Sequence, residues 1–173
     1  MSTLAELRFA LGIWGFPGDL HDFEEELADA DLDGQPCGRA IAQAYRHRVM
    51  LRCDPQAMAA LMRTTDDVAH ELGQRMRRRG RCSVSQALLG DSAEKLLAGL
   101  TASEQAAVES VCRCIGEDPD SERARGLPDA DPRSSSWAVD VLSEATGGRG
   151  VSVIYRYDAA LDAVLVLWLI AGP

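Results

Sequence analysis

Clustered arginines are the residues whose type and spacing first suggest chemistry. Arg75, Arg77, Arg78, Arg79 and Arg81 fall within seven residues that carry no acid. Such a cluster fits phosphate contact, since Lys and Arg supply most backbone contacts to nucleic acids. On a helix, however, residues 75, 78 and 79 share one side and residues 77 and 81 another, so they form no single stripe. A solvated helix end favoured by the C-terminal dipole, or an intramolecular partner for acidic helices, is the competing expectation. Tyr45-Arg46-His47-Arg48 holds the ingredients for base stacking and phosphate contact, yet Tyr45 falls on an apolar helix face and fits core packing. Near the C-terminus, strand alternation places Ser152, Ile154 and Arg156 on one face, with Val151, Val153, Tyr155 and Tyr157 on the other.

Other constellations carry less. His21, His47 and His70 lie far apart and none has a partner at metal-ligand spacing. His21 with Glu25, and Asp66 with His70, are i,i+4 pairs that read as surface hydrogen bonds. Asp19, Asp22 and Glu26 hold the carboxylates a hydrolase needs, without a pocket to define a reaction. Glu24, Glu25 and Glu26 read as a solvated face. Gly147, Gly148 and Gly150 flank Arg149 between strands, not in the strand-to-helix context of a phosphate loop. No Ser-His-Asp or Cys-His pattern stands out, and neither metal nor cofactor is expected. The five cysteines have no CxxC pair, so reduced thiols are expected rather than a disulfide framework or a zinc site.

The elements that would hold these residues fall into two regions. The chain has 173 residues, is 46% hydrophobic and 26% charged, and carries a net charge of −9. That balance suits a packed core and disfavours bulk attraction to duplex DNA or an anionic membrane. Residues 1–74 hold 13 acidic and 6 basic groups, and residues 82–173 hold 14 and 7, so the basic run separates two acidic halves. With Gly80 as a break, residues 1–79 form one region and residues 80–173 the other.

The first region reads as helices. Leu20, Phe23, Leu27 and Ala30 recur at helical spacing, then Ile41, Ala44, Tyr45 and Val49 after a turn at residues 33–36. Asp54-Pro55 fits an N-cap followed by proline at the first helical position, and Thr65 a further cap. In the second region, residues 81–88 suit a strand or a helix start, and residues 92–100 a short helix. Thr101 with Glu104 is a capping box opening a helix that ends near Gly116. Residues 118–136 read as a long loop. Strands are expected over 137–142, 151–157 and 163–171, the last two joined by a hairpin. The run Val164 to Ile170 gives both faces of its strand apolar side chains, so both must be covered. Helices of its own half can shield one face; the N-terminal helices, a second protomer or another protein must shield the other. No apolar run is long enough to span a bilayer, and the opening residues lack a secretion signal, so a cytoplasmic location is expected.

The β-α-α-β-β-β order after residue 80 resembles the RelE/ParE superfamily of bacterial toxin–antitoxin toxins. The likeness rests on Leu96-Leu97-Ala98-Gly99-Leu100-Thr101-Ala102-Ser103-Glu104, on Glu117-Asp118-Pro119, on Arg125-Gly126-Leu127, and on the strand from Gly150 to Asp158 with its Val153-Ile154-Tyr155-Arg156-Tyr157 core. It implies a small antiparallel sheet with paired helices, and with the N-terminal helices read from periodicity the expected fold is α+β, a helical N-terminal region packed on that sheet. It also implies a ribosome-associated endoribonuclease in which cations stabilise phosphate charge and a Tyr, His or Glu moves protons. On that basis Arg156, Arg149 and Tyr155 are the expected catalytic residues. Arg125, Arg133, Arg77, Arg78 and Arg81 are the expected RNA contacts, with Arg123 a further candidate cation. Two departures are visible: Ser152 replaces the arginine usual before the Val-Ile-Tyr segment, and no cationic tail follows the last strand.

The acidic N-terminal region then reads as an antitoxin-like cover, acting in cis or replaced by a separate antitoxin. The alternative is that these helices are simply the rest of one core. The whole is expected to be a toxin–antitoxin-type protein, or a self-restrained derivative, with RNA or the ribosome as partner. Two alternatives stay open. One is a non-catalytic interaction module, homodimeric or partner-binding through its last strand. The other is an enzyme with a small-molecule site between the two regions.

Overall fold

A computed structural model of the chain describes residues 3–33, 35–79, 87–121, 123–128 and 135–172. Five helices build the N-terminal region: α1 (Leu4–Trp14), α2 (Asp19–Asp33), α3 (Gln35–Cys53), α4 (Pro55–Leu61) and α5 (Thr65–Arg79). Sequence periodicity alone does not signal α1. Its start is nevertheless encoded, because Thr3 Oγ1 accepts from the Glu6 amide while Glu6 accepts from the Thr3 amide. Asp54 caps α4 with Pro55 at its first position, as expected. The cap of α5 is Thr64 rather than Thr65: its hydroxyl accepts from the Asp67 amide. Leu7, Leu11, Phe23, Ile41, Tyr45 and Val49 close the core between α1, α2 and α3.

The second region runs β1 (Ala87–Leu89), α6 (Asp91–Ala98), α7 (Ala102–Glu117), β2 (Ala124–Leu127), β3 (Ser136–Val141), α8 (Ser143–Thr146), β4 (Val151–Asp158) and β5 (Ala163–Ala171). Thr101 and Glu104 form the expected capping box of α7. The α+β class holds, with two differences in the sheet. Its order is β1-β5-β4-β3-β2, and β1 runs parallel to β5, so the sheet is mixed rather than wholly antiparallel. Three reversals from β2 to β5 return the chain beside β1 in the same direction. The stretch expected as a loop over 118–136 also contains β2, antiparallel to β3. Its few apolar residues hide it in sequence; pairing to an open strand edge needs only backbone groups. Of the expected first strand, residues 81–86 lie outside the described residues and 87–89 are extended.

The last strand has the two covered faces its composition demands. A bulge between the Ile154–Trp168 and Tyr155–Val166 pairs leaves Leu167 as the extra residue. Val164, Val166 and Leu169 therefore face α6 and α7, packed with Val108 and Ile115. Leu165 and Leu167 pack against Val68 and Leu72 of α5, while Trp168 and Ile170 meet Leu51, Ala57 and Leu61 of α3 and α4. One edge of β5 pairs with β4 along its length, and the other pairs with β1 over Val164, Leu165 and Val166. The chain supplies its own cover for both faces of the strand. The exposed large apolar side chains lie largely on α1 instead, at Phe9, Ile13 and Trp14.

Candidate functional site

Arg156 occupies the helix-covered face, as alternation predicts, but it faces no solvent. It is 1% exposed. Its guanidinium donates to the Leu61 and Arg63 carbonyls at the end of α4, at 2.9 and 2.7 Å, and to Ser136 Oγ at 3.1–3.2 Å. The last carbonyls of a helix lack intrahelical partners, and a buried cation satisfies that of Leu61 together with the Arg63 carbonyl just past the helix. The expected catalytic arginine is thus a pin between α4 and β4. Tyr155 is likewise buried on the α7 face, where its hydroxyl donates to the Pro119 carbonyl at 2.6 Å. Burial, with Asp120 and Asp118 nearby, pushes its phenol up to about 12, which ill suits proton transfer near neutrality.

The expected RNA contacts are dispersed. Arg125 pairs with Glu26 of α2 at 2.5 Å and lies over the Tyr45 ring. Tyr45 itself is core, as expected, and its hydroxyl donates to Glu26. Burial and the adjacent Glu26 carboxylate hold the Tyr45 phenol well above its ordinary value. Arg75 is largely buried and bridges Glu71 of its own helix to Asp91 and Glu94 of α6, which is the intramolecular role. Arg77 and Arg78 are exposed near the end of α5, and Arg123 is exposed ahead of β2. Arg81 and Arg133 lie outside the described residues. Asp19 accepts from the Phe16 amide and pairs with Arg48 at 2.6 Å, so two carboxylates of the α2 cluster serve the fold. His21 pairs with Glu25 at the surface, whereas His70 meets Gln74. No metal-holding group of three His, Cys, Asp or Glu occurs among the described residues.

The third expected catalytic residue, Arg149, belongs to a different constellation. Its guanidinium grips Glu104 at 3.0 and 3.2 Å and lines a cavity of about 630 Å³ between α3 and the α8–β4 turn. Arg149 and the Thr101 amide hold the Glu104 carboxyl down at about 2. Across the cavity, Arg39 and Arg46 project from one face of α3, as spacing i,i+7 requires. Arg39 is 3.9 Å from Glu144, while the buried Nε of Arg46 makes no hydrogen bond among the described residues.

His47 completes this wall. It is 3% exposed, with Nδ1 2.5 Å from Ser152 Oγ, and Ser152 Oγ in turn contacts Asp140 Oδ1. A carboxylate only accepts, so the single serine proton goes to Asp140. The serine oxygen then accepts from His47 Nδ1–H. In neutral His47 this leaves Nε2 as an unprotonated acceptor. Nε2 lies toward Gly172 on the cavity wall, where an added Cβ would come within 3.0 Å. Gly150 is equally constrained, since a Cβ there would collide with the Gln43 amide. The sequence contains Ser, His and Asp at scattered positions, and only the Asp140–Ser152 pairing on adjacent strands brings them under α3. The order is serine between acid and base, so it orients the imidazole and is not a nucleophilic triad. No helix among the described residues is long and apolar enough to cross a membrane. Compared with protein-family models, curated proteins and solved structures, the chain matches none.

Proposed function

We propose that the protein is a RelE/ParE-like toxin-fold derivative whose sheet is closed in cis by its own N-terminal helices. The observation that carries this reading is the burial of Arg156 beneath α4, with its two terminal guanidinium nitrogens bound to the Leu61 carbonyl at the helix end and the Arg63 carbonyl just past it. The Glu26–Arg125 pair supports it, as an acid of the N-terminal region answering a cation of the C-terminal half. So does the packing of α3, α4 and α5 over the face that holds Ser152, Ile154 and Arg156. In this closed state Arg156 and Tyr155 offer nothing to a phosphodiester, and the ribonuclease activity implied by the resemblance requires the cover to leave.

The test is expression in a bacterial host of the full chain, of residues 80–173, and of both regions from separate reading frames. Residues 80–173 alone should arrest growth and cleave mRNA, and residues 1–79 supplied in trans should relieve the arrest. Arg156→Ala in the isolated half should abolish it. A soluble C-terminal half that changes neither growth nor RNA would overturn the reading, as would a full chain equally inhibitory.

A further inference from the structure

The cavity between α3 and the α8–β4 turn points to a function independent of the toxin-fold reading. Among the described residues, Arg39, Arg46 and Arg149 line it against a single carboxylate, Glu144, within a chain of net charge −9. Concave walls that gather one sign of charge focus potential and attract the opposite sign. Arg149 is already matched by Glu104 and Arg39 is loosely met by Glu144, but Arg46 has no acidic partner among the described residues. The Nε of Arg46 is closed to solvent, so what a ligand can meet is the rest of a guanidinium that has no acidic partner, and an anion is its simplest complement.

His47 adds a second, chemically different contact. In the neutral imidazole the Nδ1 proton meets the Ser152–Asp140 relay, which leaves Nε2, beside Gly172 on the cavity wall, as an acceptor. An acceptor beside three arginines selects a ligand that carries both an anionic group and a hydroxyl. Inorganic anions alone would leave much of about 630 Å³ empty, whereas this volume suits a molecule of nucleotide size. Leu27, Ala42 and Leu142 provide an apolar wall for its uncharged part. We propose that this cavity binds a small phosphorylated, hydroxyl-bearing molecule, its phosphate held by Arg46 with Arg39 and Arg149 and a hydroxyl donating to His47 Nε2.

Isothermal titration calorimetry of the full chain with adenosine 5′-monophosphate, inorganic phosphate and adenosine tests the class. The monophosphate should bind, inorganic phosphate should compete more weakly, and adenosine should not bind. Arg46→Gln should weaken the monophosphate at least about tenfold, the equivalent of one charge-assisted hydrogen bond. Arg39→Gln, at a largely exposed side chain that folding does not need, should weaken it about threefold. In the unaltered chain, the ¹⁵N resonance of His47 Nε2 should move on saturation. Absence of monophosphate binding, binding unchanged by both substitutions, or a silent His47 resonance would each overturn the proposal. Tighter binding of a short RNA than of the monophosphate through the same arginines would overturn it too, by assigning the cavity to a polymer.

Discussion

On the face of the sheet turned to α6 and α7, Val151, Val153, Val164, Val166 and Leu169 meet Ala93, Val108 and Ile115. The Tyr155 hydroxyl interrupts that apolar contact, and it is satisfied by the Pro119 carbonyl. The opposite face, under α3, α4 and α5, is mixed. Leu165, Leu167, Trp168 and Ile170 pack there beside Arg156, Ser136, Ser152 and His47. Apolar contact is non-directional and accepts several arrangements of similar volume, whereas buried hydrogen bonds have few acceptable geometries. The difference teaches that α6 and α7 meet the sheet itself through hydrophobic burial, their polar ties running instead to Arg75 of α5 and Arg149 of the α8–β4 turn. The N-terminal helices are in addition fixed in register, α4 by Arg156 and α3 by His47.

If that contrast is real, the largest loss should come from Arg156→Met. It leaves the Leu61 and Arg63 carbonyls without their buried cation and should lower stability by about 3 kcal/mol in urea denaturation. Amide hydrogen exchange should rise in α4 and α5 while α7 stays protected; equal loosening of α7 would break the comparison. Val153→Ala, on the apolar face of the same strand, should cost about 2 kcal/mol through lost burial and a cavity, with no preference for which helices loosen. Its neighbour Ser152→Ala removes one link to His47 and should cost about 1 kcal/mol. That variant should also free the His47 tautomer, visible as a change in the ¹⁵N pattern of its imidazole. A Ser152→Ala chain with an unchanged imidazole would show that the relay does not orient His47.

The smallest effect concerns Glu104. Its carboxyl is held down at about 2 by Arg149, below the value of about 4.3 expected in the unfolded chain. A lowered folded value gives stability that is present above about pH 5 and fades as pH falls toward 2. Because Arg149 is half exposed, solvent screening limits the change to about 1 kcal/mol or less. Acid titration of unfolding free energy should show this limb, and Arg149→Gln should flatten it. A limb as steep in the variant as in the native chain would remove Arg149 as the cause.

Local signals were the legible ones. Thr101 with Glu104, and Asp54 with Pro55, announce helix starts because capping involves side chains three residues or fewer from the backbone they bind. Val164 to Ile170 announces a strand wanting cover on both faces because alternation is absent. The bulge at Leu167 was not legible, since any residue of that run fits either face. Nor was β2, whose pairing depends on β3 being beside it. For the site, Arg149 is named through the resemblance while its glycine-rich setting argues against a phosphate loop, and Arg156 looks the same in sequence whether it meets a phosphate or a helix end. His47 shows no partner at short spacing because Ser152 and Asp140 lie about a hundred residues away.

From its residues alone, this chain commits itself to an acidic helical half, a C-terminal meander of strands and an apolar last strand that must be sandwiched. Periodicity, caps and charge act over a few residues and need no partner to be read. Which helices complete the sandwich, that Arg156 becomes a pin, and that His47, Arg46 and Arg149 converge on one cavity were decided only by tertiary packing. Hydrogen-bond geometry and desolvation depend on what lies opposite each side chain, and that is set by contacts remote in the sequence.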